Sequence, residues 1–196
     1  MNYLAHALLA RGDADLEVGG ILGDYVRGRP DPALPAGLRR GIMLHRAVDT
    51  YTDRHARVAA SRALFKPPFR RYAGIMLDVW FDHCLARDFS RWSTLPLNDF
   101  STRLRKRVDA RALWLPSSLN RFAAFMHRRD LPAAYADPAV IGEVLAGLGR
   151  RLSRANPLDR ALPVLSARDQ VLRDHFNAFF PDLVAYADAW KTSHQS

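Results

Sequence analysis

The stretch LDVWFDHCLA, residues 77–86, sets two aspartates and a histidine among side chains that are otherwise almost all apolar. Leu77, Val79, Trp80, Phe81, Cys84 and Leu85 suit a largely buried helix, on which positions i and i+4 share a face. Asp78 and Asp82 then stand one above the other at like-charge distance, which is unfavourable without a cation between them. Burying such a pair unpartnered costs several kcal/mol more. The spacing therefore predicts a helix that needs a cation.

Prolines parse the rest of the chain, because Pro is tolerated at helix starts and in loops but breaks helix interiors. RGRPDPALP at 27–35, KPP at 66–68, and Pro96, Pro116, Pro132, Pro138, Pro157 and Pro163 cut it into segments of helical length. Apolar residues recur at helical spacing within them, as in Leu38, Ile42, Val48 and Tyr51, or Ile141, Val144, Leu145, Leu148 and Leu152. Strand-like alternation and hairpin turns are missing. The expectation is an all-α single compact domain over residues 1–196, with seven or eight helices near 2–10, 15–28, 36–56, 69–88, 97–111, 117–130, 138–154 and 166–190. The last should bend near Pro181, and Ser166 with Asp169 gives it a start signal.

A chain of 196 residues, 48% of them hydrophobic, can bury a core unaided. The single cysteine, Cys84, excludes an internal disulfide framework and fits a reducing compartment. The beginning, MNYLAHALLARGDADLE, lacks a basic leader and carries His6 and acids, so it does not read as a signal peptide. No apolar run approaches the roughly 18 residues of a membrane span. These features point to a soluble, cytoplasmic protein without a membrane partner. The net charge of +9 calls for an acidic partner or reflects composition alone, since the basic residues are overwhelmingly arginine.

Four segments repeat the oddity of the opening stretch. In MNYLAH, Asn2 and His6 are four apart, and in GGILGDYVRG (19–28) Asp24 is the lone acid. In GIMLHRAVDTYTD (41–53), His45, Asp49 and Asp53 fall at i, i+4 and i+8, drifting only about 40° per step around a helix. The fourth is the 77–86 stretch itself, with Asp78, Asp82 and His83. Each residue alone has an ordinary explanation as a hydrogen-bonded core histidine, a cap or a surface ion pair. Together they require partners that a shared metal supplies, and mixed imidazole and carboxylate donors suit Mn, Fe or Zn better than Ca. His55, His127, His175 and His194 lie in polar or amphipathic surroundings and are set aside. There is no phosphate-binding G-x-x-x-x-G-K-[ST] loop, no G-x-S-x-G elbow, no C-x-x-C pair and no H-E-x-x-H. The glycines of GGILG read as close helix packing beside the site. Metal-assisted hydrolysis is what remains.

At these residues the sequence resembles a known family. MNYLAH, GGILGDYVRG, GIMLHRAVDTYTD and LDVWFDH, in this order, are similar to the motifs of bacterial acyl carrier protein phosphodiesterases, and the likeness is specific through about residue 90. Beyond that it thins to helix pattern and to arginines around GLGRRLSRANPL (147–158). The resemblance implies a divergent histidine-aspartate (HD) phosphohydrolase-like fold and removal of the 4′-phosphopantetheine arm from the serine of acyl carrier protein. It also implies a divalent cation, typically manganese. Carried over residue by residue, it implies His6, Asp24, His45, Asp49, Asp78 and Asp82 as metal ligands, with Asp24 and His83 as catalytic groups. No His-Asp dipeptide occurs in the chain, a departure from the wider HD pattern. Acyl carrier protein is small and acidic, which would give the basic charge a purpose, with Arg27, Arg39, Arg40 and Arg46 as candidate substrate-binding residues beside the motifs. The competing expectations are an HD-type nucleotide or alarmone hydrolase and, in another class, a basic helical nucleic-acid binder. The second leaves the acids among apolar residues unexplained, and no nucleic-acid partner is expected.

Overall fold

The computed structural model describes residues 1–194, among which lie ten α-helices and no strand, as the helical spacing predicted. The helices are α1 (Tyr3–Leu9), α2 (Ala14–Leu22), α3 (Ala36–Arg54), α4 (Ala56–Ala63), α5 (Ala73–Arg87), α6 (Leu97–Asp109), α7 (Ser117–Arg128), α8 (Pro138–Arg151), α9 (Ala161–Ser166) and α10 (Asp169–Ser193). Among the described residues, no helix is long and apolar enough to cross a membrane.

The local chemistry explains most boundaries. Asp13 caps α2 by accepting hydrogen bonds from the amides of Asp15 and Leu16, and Asp137 caps α8 through Ala139. Pro35, Pro96 and Pro116 immediately precede α3, α6 and α7, and Pro138 opens α8. The expected helices need four corrections. The second stops at Leu22 instead of 28, because a 3-10 turn at Gly23–Tyr25 and then Gly28 at φ +67 redirect the chain. The third breaks at His55, whose extended backbone and side-chain bond to the Arg57 amide start α4. Only Val58 and Ser61 of α4 are buried, which leaves almost no periodic signal. The other two lie near residue 166: Ser166 ends the short α9, and α10 begins at Asp169 and runs through Pro181.

Helix α5, which carries LDVWFDHCLA, sits at the centre and packs against α1, α8 and α10. Its Phe81 meets Phe176 and Phe179 of α10 at ring-centroid distances of 5.6 and 6.0 Å, all three fully buried. Truncating such a ring to Ala costs about 3–5 kcal/mol.

The second framework lies between α2 and α3. A Cβ on Gly41 would stand 2.6 Å from the Cα of Gly19, so the two backbones touch there and only glycine fits on either side. Gly23 is under the same constraint, because a Cβ on it would overlap the ring of His45. Part of the arginine excess is structural: Arg103 and Arg107 of α6 reach Glu17 of α2, whose side chain is fully buried, at 3.4 and 2.6 Å.

Candidate active site

The close α2–α3 crossing brings the beginning of the chain, the turn after α2, the middle of α3 and the middle of α5 to one point. Asp49 lies at its centre. One carboxylate oxygen is 3.2 Å from Nε2 of His6, and the other is 3.1 Å from Nε2 of His45. The two imidazoles stack with centroids 3.9 Å apart. Asp24, carried by the turn after α2, approaches Nε2 of His45 at 3.5 Å. The buried α-ammonium of Met1 lies 3.4 Å from Asp49 and 3.1 Å from Asp78.

The electrostatics follow from that arrangement. Burial alone would raise the pKa of Asp49, but hydrogen bonds from His45 and His6 and the charge of Met1 hold it well below the ordinary carboxylate range. Burial would lower His45, yet Asp49, Asp24 and the Gly20 carbonyl raise it. His6 goes the other way, to about 3, through burial and the neighbouring charge of His45. For the Met1 ammonium, Asp78 and Asp49 overcome burial and raise its pKa to about 11.

The donor set fits a divalent cation. Nδ1 of His45 is 2.7 Å from the carbonyl oxygen of Gly20, so it carries the proton and leaves Nε2 aimed at two carboxylates. With Nδ1 committed to Gly20, Nε2 faces the two carboxylates as an N–H in the metal-free site, which the raised pKa of His45 favours, and a divalent cation could take the place of that proton. His6, His45 and Asp49 each offer one ligand atom within 4.8 Å of the others, and Nδ1 of His6 is buried without a hydrogen-bond partner. Three carboxylates converge here against one ammonium.

Five of the seven expected site residues thus come together: His6, Asp24, His45, Asp49 and Asp78. Two do not. The carboxylate of Asp82 accepts hydrogen bonds from the amides of Leu4 at 2.7 Å and Ala5 at 3.2 Å, which makes it the cap of α1 and not a cation ligand. His83 turns away, with Nδ1 2.7 Å from the carbonyl of Tyr135 and its ring against Trp80, so it does not reach the cluster. A cation does serve both Asp78 and Asp82, and it is the Met1 ammonium: it lies 3.1 Å from Asp78 and its charge also acts on Asp82, whose oxygens accept from the amides of α1.

Among the arginines, Arg39 donates to the carbonyls of Pro32 and Leu34, and Arg46 to that of Val26 at 2.8 Å. Both brace the loop after Asp24, a role that the sequence did not show. Arg40 and Arg46 border a cavity of about 530 Å³ together with Met43, Tyr186 and Trp190, and Arg27 is exposed on the loop. Asp53 pairs with Arg62, outside the cluster. Sequence reasoning missed Met1, whose charge belongs to the backbone, and the hydroxyl pair of Tyr3 and Tyr25, 3.2 Å apart beside Asp24.

A curated acyl carrier protein phosphodiesterase of Photorhabdus laumondii is 35% identical over 181 residues, covering 91% of this chain and 87% of the relative. Relatives of the same name from Shigella boydii and Escherichia coli O139:H28 are 35% and 34% identical over 191 residues, covering 95% of this chain and 97% of theirs. No solved structure matches the chain. The sequence model of the family described as acyl carrier protein phosphodiesterase matches residues 1–183, so the chain belongs to that family.

Proposed function

We propose that this protein hydrolyses the phosphodiester that joins 4′-phosphopantetheine to the serine of holo-acyl carrier protein, releasing the arm and the apo-protein, with the chain acting as one helical domain. The observation that carries the reading is the convergence of His6, His45, Asp49, Asp24 and Asp78 at one point in a member of that family.

His6, His45 and Asp49 would hold a divalent metal, with Asp24 and Asp78 beside them. Manganese is the proposed ion, in line with mixed imidazole and carboxylate donors. When bound, such a cation neutralises charge on a phosphoryl oxygen and makes water more acidic. The chain's own residues do the rest. Asp24 has a side chain 43% exposed and lies against His45, a position from which it can take the proton of the attacking water. Gly20 fixes the tautomer and the orientation of His45 through its carbonyl. Asp78 ties the beginning of the chain to α5 through the Met1 ammonium, which keeps His6 in register with Asp49.

An acidic carrier protein gains association rate from the +9 charge, and such a substrate places the reaction in the cytoplasm. Mass spectrometry of holo-carrier protein incubated with the purified enzyme tests the reading. Loss of the arm, abolished by chelator and restored by Mn²⁺, is expected. An unchanged holo-protein, or turnover of a nucleotide panel in its place, overturns it.

A further inference from the structure

A cavity of about 760 Å³ lies between α7 and α8, and one end of it is lined by Asn2, Tyr3 and Tyr25. None of the cluster residues lines the cavity, but Tyr25 follows Asp24 in the chain, its hydroxyl lies 3.2 Å from that of Tyr3, and both hydroxyls feel the charge of Asp24, so the two tyrosines lie close to both the cavity and the cluster. The walls are of two kinds. Phe122 and Phe125 from α7 face Val144 and Leu148 from α8, giving an apolar channel, and Phe122 packs on Tyr3 with centroids 4.5 Å apart. Arg121, Arg128, Arg150 and Arg151 line it as well. The carboxylate that accompanies them, Glu143, is engaged by Arg129.

Resting on the function proposed above, we infer that this cleft is the subsite for the released arm: the phosphodiester lies at the tyrosine end, and the pantetheine chain runs between α7 and α8. The size falls in the range of sites for extended small molecules, about 300–1,000 Å³. The chemistry matches along the length. An anionic phosphate meets hydroxyl and amide donors next to the cluster. The gem-dimethyl and methylene groups meet aromatic and aliphatic walls, and the amides of the arm have polar groups within reach. A folded carrier protein cannot enter such a channel, whereas a flexible prosthetic arm can. The carrier's serine then stays at the mouth, with its oxygen facing the cluster as the bond to phosphorus breaks and water supplies the replacing oxygen and a proton.

Gly147 gives a clean test. It lies on α8 in the lining, and a Cβ there would meet only the Arg150 guanidinium at 3.7 Å, so a side chain can grow into the cleft without displacing backbone. With the wild type, free 4′-phosphopantetheine should inhibit at least about 10-fold more strongly than inorganic phosphate, since the apolar walls add binding that phosphate alone cannot use. Gly147→Trp should erase that preference and raise KM for holo-carrier protein by about 10-fold or more, with a smaller change in kcat, as expected when binding common to ground and transition states is removed. Gly147→Leu, a smaller graft, repeats the measurement if the tryptophan variant fails to fold. A preference for phosphopantetheine that survives a folded, filled cleft overturns the subsite while leaving the hydrolase intact. A wild type that binds phosphopantetheine by calorimetry, loses that binding in the variant and yet never releases the arm overturns the function and leaves the subsite standing.

Discussion

His6 and His45 stack face to face, 3.9 Å between ring centroids, and direct their Nε2 atoms at the two different oxygens of Asp49. Stacked imidazoles cannot both be protonated at little cost, and their shifts separate them accordingly, His6 downward and His45 upward. Asp49 is the group that both depend on. Asp49→Asn keeps the shape and removes the charge, so metal content of the purified protein should fall and turnover should drop by at least about 10², the range of a lost catalytic or metal-positioning group. Elemental analysis and single-turnover kinetics on one preparation check both. Full metal content with unimpaired turnover would remove Asp49 from the centre.

Gly23→Ala should act on the same ring without touching its chemistry. The added methyl overlaps the His45 imidazole, so the ring or the turn must move. A 1 Å misplacement of a catalytic group can lower the rate by about 10². The expected result is a large loss of kcat in a protein that still melts cooperatively, and a variant with wild-type kcat would show that the turn absorbs the methyl.

Asp82→Ala should be a stability variant. Its carboxylate is fully buried and caps α1 through the amides of Leu4 and Ala5. Removing a cap and leaving buried amides unpaired costs roughly 2–4 kcal/mol. Activity per folded molecule should fall only as far as a loosened α1 lets His6 move. Urea denaturation decides, and an unchanged midpoint would return Asp82 to the list of ligands.

The same carboxylate predicts a pH dependence. Burial pushes Asp82 up to about 7, against the opposing pull of the Leu4 amide, the Met1 ammonium and the Ala5 amide. An acid whose folded pKa is raised binds more protons in the native state than in the unfolded one between pH about 4 and 7. Its contribution to stability is therefore greatest at the acid end of that window and declines as pH rises through it. Comparing the wild type with Asp82→Asn at pH 5 and pH 7 isolates the effect. The difference between the two proteins should change with pH, and a constant difference contradicts the shift.

The fold was legible because proline spacing and helical periodicity act locally, and the pairs within one helix, such as His45 with Asp49, could be read from i, i+4 geometry alone. What escaped depends on contacts between distant segments. Nothing in LDVWFDHCLA says that Asp82 meets the amides of α1 while Asp78 meets an ammonium, because a helix terminus, a chain terminus and a metal all answer a buried carboxylate equally well. His83 was misread for a similar reason: a carbonyl of a 3-10 turn some fifty residues away satisfies it. Arg39 and Arg46 sit beside the motifs in sequence but spend their donors on backbone carbonyls of the loop.

Asp24 is the sharpest case. Its sequence neighbours Ile21 and Leu22 suggest a buried charge, yet the turn at Gly23–Tyr25 lifts it out so that its side chain is 43% exposed with one close partner, His45 at 3.5 Å. A carboxylate open to solvent on one side and facing an imidazole on the other contributes little to folding, since partly exposed pairs are worth about 0–1 kcal/mol. Asp24→Ala should therefore leave the melting temperature within a few degrees of wild type and, if Asp24 takes the proton of the attacking water, lower single-turnover hydrolysis by at least about 10². Asp24→Asn should be equally inactive, because the amide keeps the hydrogen-bonding shape but cannot accept that proton, whereas an orienting role alone would be partly rescued. A large drop in melting temperature with near-normal turnover per folded molecule would make Asp24 structural and leave the proton to Asp78, a half-exposed carboxylate at the cluster that does not touch either imidazole.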